Sequence, residues 1–260
     1  MTVTVDVAAW QVAARIASTI DPVFAMVDGW RDRLAAVLDG PAPPLAATLD
    51  PVVDALVRGA LEEPGGLITG AGFVAAPGFL ADRPWHLAWW LGVANTFGQG
   101  TGVRRLEAES DPDAEQFRDY TTLEWWRVPV RTGTRHLTGP YVDYLCTDDY
   151  TVTITTPVMV GGELVGVVGV DLYVARLEQV LLPVLRESGH PCTLVNASGR
   201  IAASTDSRRA TGALLRLDGL AAALAPLRER EGVPSEAARL PGGETVVPCG
   251  DTSLALVLEA

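Results

Sequence analysis

The sequence predicts an α+β protein: an antiparallel sheet flanked by helices, with a long N-terminal helix and a smaller C-terminal α+β module. Three observations predict this. Apolar residues recur at spacings of three and four from Trp10 to Leu38. Two strand-like runs, 150–158 and 163–171, flank Gly161-Gly162, a two-residue turn that needs positive φ. After His190-Pro191 short strand patterns resume on a smaller scale.

The elements follow in order. Trp10, Ala14, Ala17, Ile20, Phe24, Val27, Trp30 and Leu34 line one face of a helix that runs to about Asp39. Pro22 predicts a kink or a break within it. Gly40-Pro-Ala-Pro-Pro44 stops it. Asp50-Pro51 reads as an N-cap followed by proline at the first helical position, opening a helix to about Leu61. Residues 67–75 and 85–93 read as strands, and Asp111-Pro112-Asp113 as the start of a short helix through Tyr120. Residues 173–188 form an amphipathic helix interrupted by Pro183 and closed by Gly189. Beyond it come a strand, a turn at 196–199, another strand, a helix near 217–228, and a hairpin around Gly250-Asp251.

Composition narrows the function. The 260 residues carry a net charge of −12 and no lysine. No basic face is available to release counterions, which excludes nucleic acid as a partner and disfavours anionic membranes. The arginine-only usage points to a GC-rich genome. Cys146, Cys192 and Cys249 are too few and too scattered for a disulfide framework and read as free thiols in a reducing compartment. No window spans a bilayer and no signal peptide is evident. A cytoplasmic, stand-alone protein is expected, with a trimmed extracytoplasmic domain as the alternative. His86, His136 and His190 lack metal-ligand spacing, and Asp148-Asp149 lacks the glycine-centred loop of a calcium site. No cofactor is expected.

One ordered set of residues carries more. Gly139-Pro140-Tyr141-Val142-Asp143 follows an aromatic segment and precedes the Gly161-Gly162 hairpin, whose second strand reads Gly166-Val-Val-Gly-Val-Asp171. This order resembles the Cache, or PDC-like, sensor family over about residues 65–190. The resemblance implies a module that binds a small molecule and catalyses nothing. It implies an N-terminal helical segment over 1–62, a ligand-binding module over 63–190 and a reduced second module over 191–260.

In the amino-acid-sensing branch of that family, the motif positions fall here on Tyr120, Trp125, Trp126, Tyr141, Asp143 and Asp171, which are therefore the expected ligand-binding residues. The branch's arginine would stand at Leu123. Its loss, with both aspartates kept, points to a ligand with an amine and no α-carboxylate, unless Arg127 or Arg131 takes its place. Strand alternation is expected to put Tyr141 and Asp143 on one face, Gly169 to leave a hollow beside Asp171, and Trp125 and Trp126 to face opposite ways. Two carboxylates and aromatic rings suit an ammonium group through charge-assisted hydrogen bonds and cation–π attraction. Asp171 is also placed to cap the next helix. Trp85, Trp89 and Trp90 read as core, one of them able to wall the pocket.

Two other classes compete. Asp143 and Asp171 could serve a hydrolase as acid and base, or the N-terminal helix could join the chain to a second copy or a regulatory protein. A sensor with no output segment must signal through a partner.

Overall fold

The structure, a computed structural model, describes residues 7–97, 101–143, 149–229 and 236–259. Cys146 and Asp148 lie outside them. The chain forms two compact units.

The larger unit comprises Phe24–His136 and Val142–Tyr173. Its centre is an antiparallel sheet of β1 (Ile68–Ala75), β2 (Leu87–Leu91), β3 (Arg104–Arg105), β5 (Tyr150–Val160) and β6 (Glu163–Tyr173), in the order β3-β2-β1-β6-β5; β4 (His136–Val142) follows β5 in the strand order and has only its end residues in this unit. The Gly161-Gly162 turn joins β5 to β6 with φ of 59° and 86°, the positive values its sequence predicts. Directly opposite residues point to the same face of a sheet. One face therefore presents Phe73, Ala88, Val168, Val170 and Ile154, all buried. Helix α2 (Ala46–Glu62) packs on β1 and β2. The last turns of α1 (Val7–Leu38) join the unit through Asp28, which accepts from Thr156 at 3.1 Å and pairs with Arg135 at 3.2 Å.

Local chemistry corrects several expectations here. Helix α1 continues through Pro22 without a break. Helix α2 begins one turn before Asp50, because Asp82 supplies the cap from outside by accepting the Ala46 N–H at 2.9 Å. Asp50 lies inside the helix, 2.7 Å from His86 Nε2 and paired with Arg105. Burial alone would raise its pKa, but the hydrogen bonds with His86 and Arg105 bring it below the usual carboxylate value. Residues 111–119 form turns and not a helix: Asp111 accepts the Asp113 N–H on its own side chain at 3.0 Å, which competes with helical bonding. The helix comes later, as a 3-10 turn at Tyr120–Thr122 followed by α3 (Glu124–Thr132).

The second unit comprises Met1–Val23, Leu137–Tyr141 and Val174–Ala260. Helix α4 (Val174–Arg186) lies against β7 (Cys192–Asn196) and β8 (Ile201–Ser204). With β9 (Ala238–Arg239), β10 (Thr245–Pro248) and β11 (Leu254–Leu258) these strands form a sheet ordered β8-β7-β11-β10-β9. Its core gathers Val195, Ile201, Leu220, Leu224, Val246 and Val257. The expected helix over 217–228 is two short ones, α5 (Leu220–Ala223) and α6 (Ala225–Glu229). Pro226, lacking an N–H, stands in the first turn of α6, where no intrahelical donor is needed. Asn196 is 2% exposed, and its side chain accepts from the Ser198 and Arg200 amides at 2.9 Å, so it shapes the turn. Cys192 and Cys249 are buried free thiols whose pKa burial pushes up. Among the described residues no helix is long and apolar enough to cross a membrane.

Candidate functional site

The second face of the larger sheet is the chemically distinctive one. Across β2, β1, β6 and β5 it presents the rows Leu91–Gly70–Asp171–Thr153 and Trp89–Gly72–Gly169–Thr155. The glycines are there because the strands and the indole come too close for side chains. A Cβ on Gly72 would lie 2.1 Å from the Ala88 carbonyl oxygen and 2.9 Å from the Trp89 ring. A Cβ on Gly70 would lie 2.9 Å from Trp89 Nε1 and 3.1 Å from Asp171 Oδ2. The indole of Trp89 is thus laid over Gly70 and Gly72 with its N–H toward Asp171. Gly169 leaves no hollow, contrary to expectation. The Ile154 carbonyl oxygen and Thr155 Cγ2 would sit 2.4 and 2.7 Å from a Cβ there.

Asp171 is 2% exposed and ends this face. Thr153 donates to its Oδ1 at 2.7 Å, and its backbone carbonyl accepts from Thr69 at 3.1 Å. It lies within β6, three residues before α4 begins, so the structure gives it no capping role. Its carboxyl pKa stands well above the ordinary value. Burial is the main cause and the nearby Asp143 charge the second, while the Thr153 hydroxyl and the Trp89 N–H favour the charged form. Trp89 Nε1 is buried and makes no hydrogen bond of normal geometry, so its influence on Asp171 is that of an approaching dipole. Asp143 is 4% exposed and follows the last residue of β4, with its backbone N–H donating to the Asp149 carbonyl at 3.1 Å. Strand alternation therefore stops short of Asp143. Tyr141 lies in β4 and is half-buried.

The tryptophan pair sits on α3, not on a strand, and both rings are buried. Their helix lies on the same face as Asp171, since Thr155 donates to the Trp125 carbonyl at 2.7 Å. Tyr120 stacks 6.3 Å from Trp125 and 5.2 Å from Trp126, and Trp85 meets it edge-on at 5.1 Å. The Tyr120 hydroxyl donates to the Ala75 carbonyl at 2.7 Å, and burial pushes its pKa up. Arg127 and Arg131 are exposed, which removes both as replacements for the missing motif arginine.

The fold thus brings Asp143 next to Asp171, and Tyr120 next to Trp125 and Trp126. Sequence reasoning missed Thr153, which only the β5–β6 register places opposite Asp171; Trp89, read as core with one of the three tryptophans able to wall the pocket, is buried. The Gly70-Ala-Gly72 alternation opposite a Trp-Trp strand was the available signal, since paired glycines on one face leave room for a ring. Among the described residues no group of three or more histidine, cysteine or acidic side chains could hold a metal ion.

Residues 101–179 match the model of the first PDC sensor domain of methyl-accepting chemotaxis protein-like receptors. Solved structures resemble the chain over nearly its whole length. Methyl-accepting chemotaxis protein X is 17% identical with a TM-score of 0.61, covering 97% of this chain and 94% of its own. The ligand-binding domain of the Pseudomonas aeruginosa amino acid chemoreceptor PctC, in complex with GABA, is 18% identical with a TM-score of 0.52, covering 96% of each chain. The ligand-binding domain of the Pseudomonas fluorescens chemoreceptor CtaA, in complex with L-serine, is 19% identical with a TM-score of 0.51, covering 96% of this chain and 93% of its own. The fold is that of these chemoreceptor structures. Residues 101–179 carry the match to a PDC sensor domain, and the chain shares the fold of these solved structures over nearly its whole length.

Proposed function

We infer that the larger unit senses a small molecule through an ammonium group held by Asp143 and Asp171. One observation carries the reading: two nearly fully buried aspartates lie close together, and burial first, then the Asp143 charge, push the Asp171 carboxyl pKa well above its ordinary value. A cation beside them would favour the ionised form of Asp171 and offset the Asp143 charge in a site of low dielectric. Trp125, Trp126 and Tyr120 form the apolar wall on the same face. That the related chemoreceptor domains were solved with GABA and L-serine supports the choice of an amine or amino-acid-like ligand.

In the same reading residues 63–190 are the ligand-binding module, 191–260 a reduced second module and 1–62 the helical segment that carries the signal outward. A separate signalling protein or a second copy of the chain receives it. A cytoplasmic setting is favoured by the buried free thiols Cys192 and Cys249.

A thermal-shift screen tests the central claim. Amines at a hundredfold over their dissociation constant should add about 2.7 kcal/mol of stability, and Asp171→Asn should remove the gain without unfolding the protein. Stabilisation by sugars or simple carboxylic acids, with amines inert, would overturn it.

A further inference from the structure

The carbonyl of Trp125 lies inside α3, where an α-helix would pair it with the amide of residue 129. That residue is Pro129, which has no N–H to give. The carbonyl is served from the sheet instead, by the buried Thr155 hydroxyl of β5 at 2.7 Å. A second tie lies on the neighbouring strand. His136 opens β4 and is buried, and its Nε2 is 3.0 Å from Oε1 of Glu124, the first residue of α3. The helix that carries the tryptophan pair is thus fastened to the sheet through Glu124 and the Trp125 backbone, and not through the tryptophan rings.

Each tie has a chain neighbour that faces the other way, since adjacent residues of an extended strand point to opposite faces. Thr156, next to Thr155, donates to Oδ1 of Asp28 on α1 at 3.1 Å. Arg135, next to His136, pairs with Oδ2 of Asp28 at 3.2 Å, and its guanidinium lies 4.4 Å from the centre of the Phe24 ring. Phe24 and Asp28 are one turn apart on α1 and share a face. Arg31, on the next turn, steadies the same carboxylate at 3.3 Å. Residues 135–136 and 155–156 belong to strands that are neighbours in the sheet or lie at the end of one. Each pair holds α3 with one side chain and Asp28 with the other.

We propose that Thr155 positions the tryptophan wall through the Trp125 carbonyl, and that Asp28 is the residue of α1 that receives a displacement of that wall. This rests on the reading above that α3 lines the ligand site and that α1 carries the signal. A ligand that draws on α3 moves the Trp125 carbonyl and with it Thr155. Thr156 shares that backbone, so its hold on Asp28 changes at the same moment. Coupling between two sites is reciprocal, so a change at Asp28 is also felt at α3.

Hydrogen exchange of the ligand-free protein, read by mass spectrometry, tests this without an identified ligand. The variants are Thr155→Val, Asp28→Asn and the two combined. Val57→Ala is the control, because it opens the buried face of α2, which packs on β1 and β2, and leaves both ties intact. Melting temperatures show that each variant folds, and Glu124→Ala replaces Thr155→Val should that one fail to fold. Thr155→Val should speed exchange in α3 about tenfold and in residues 24–38 about threefold or more. Asp28→Asn should speed exchange in α3 in return, and the double variant should fall short of the product of the two single effects. Acceleration confined to α3 in Thr155→Val, or to α1 in Asp28→Asn, would overturn the proposal, as would the same pattern in Val57→Ala. If amines prove inert in the thermal-shift screen while exchange in the two helices stays coupled, the ammonium reading falls and the coupling stands.

Discussion

Thr153 and Asp171 stand directly opposite each other on β5 and β6, and the Thr153 hydroxyl reaches Oδ1 of Asp171 at 2.7 Å. This donor helps to hold the carboxylate in the form that a cation needs. Thr153→Val keeps the shape and removes the donor. It should weaken amine binding about tenfold at neutral pH, the value of a hydrogen bond to a charged group. Titration calorimetry of the two proteins decides it; unchanged affinity would mean that Asp171 does not contact the ligand.

The raised pKa of Asp171 makes stability depend on pH with a definite sign. A carboxyl whose folded pKa lies above its unfolded value of 3.8 contributes stability that is complete below that value and is lost as pH rises through the folded pKa. Ligand-free wild type should therefore lose stability relative to Asp171→Asn as pH is raised from 4. Amine affinity should follow the opposite course, rising with pH because the bound cation needs the ionised pair. Paired melting curves from pH 4 to 8 check the first, and titrations over the same range check the second. Parallel melting profiles for the two proteins would contradict the burial argument.

Gly70 and Gly72 should respond differently to alanine. At Gly72 the added carbon meets backbone at 2.1 and 2.7 Å, which no side-chain motion relieves. Gly72→Ala should fail to give folded protein. At Gly70 the obstacles are the tips of Trp89 and Asp171, at 2.9 and 3.1 Å. Gly70→Ala should fold with a loss of about 1–3 kcal/mol and, on the proposed ammonium site, should lose ligand affinity, because both displaced groups line it. Denaturant melts with a binding assay separate the two variants.

Tyr120→Phe tests how the aromatic wall works. The hydroxyl is committed to the Ala75 carbonyl, so its removal should cost about 1 kcal/mol of stability. Amine binding should stay within about twofold if the ring alone serves the site. A tenfold loss of affinity at unchanged stability would show that the hydroxyl itself meets the ligand.

The elements readable in the sequence were those whose signals are local. The α1 stripe, the Gly161-Gly162 turn and the hairpin around Gly250-Asp251 each depend on a few neighbouring residues, and each forms where expected. What misled came from elsewhere in the chain. Asp50 resembles a cap, but Asp82, distant in sequence, supplies the cap for α2. Gly169 resembles a hollow until the register of β5 places Thr155 against it. Asp143 and Asp171 were named from their motif, whereas Thr153 and Trp89 acquire their positions only through pairing across strands.

The outer strand β3 is two residues long, and both are arginines. Arg105 is engaged inward, by Asp50 and by the face of Trp90 at 5.2 Å. A sheet that ends in a long apolar strand invites another chain to add to it, whereas one that ends in two charged residues offers almost no template. At this edge the molecule is protected against growing into a ribbon with its own copies, even though the strands just inside, rich in tryptophan, valine and glycine, have the composition of an aggregating segment.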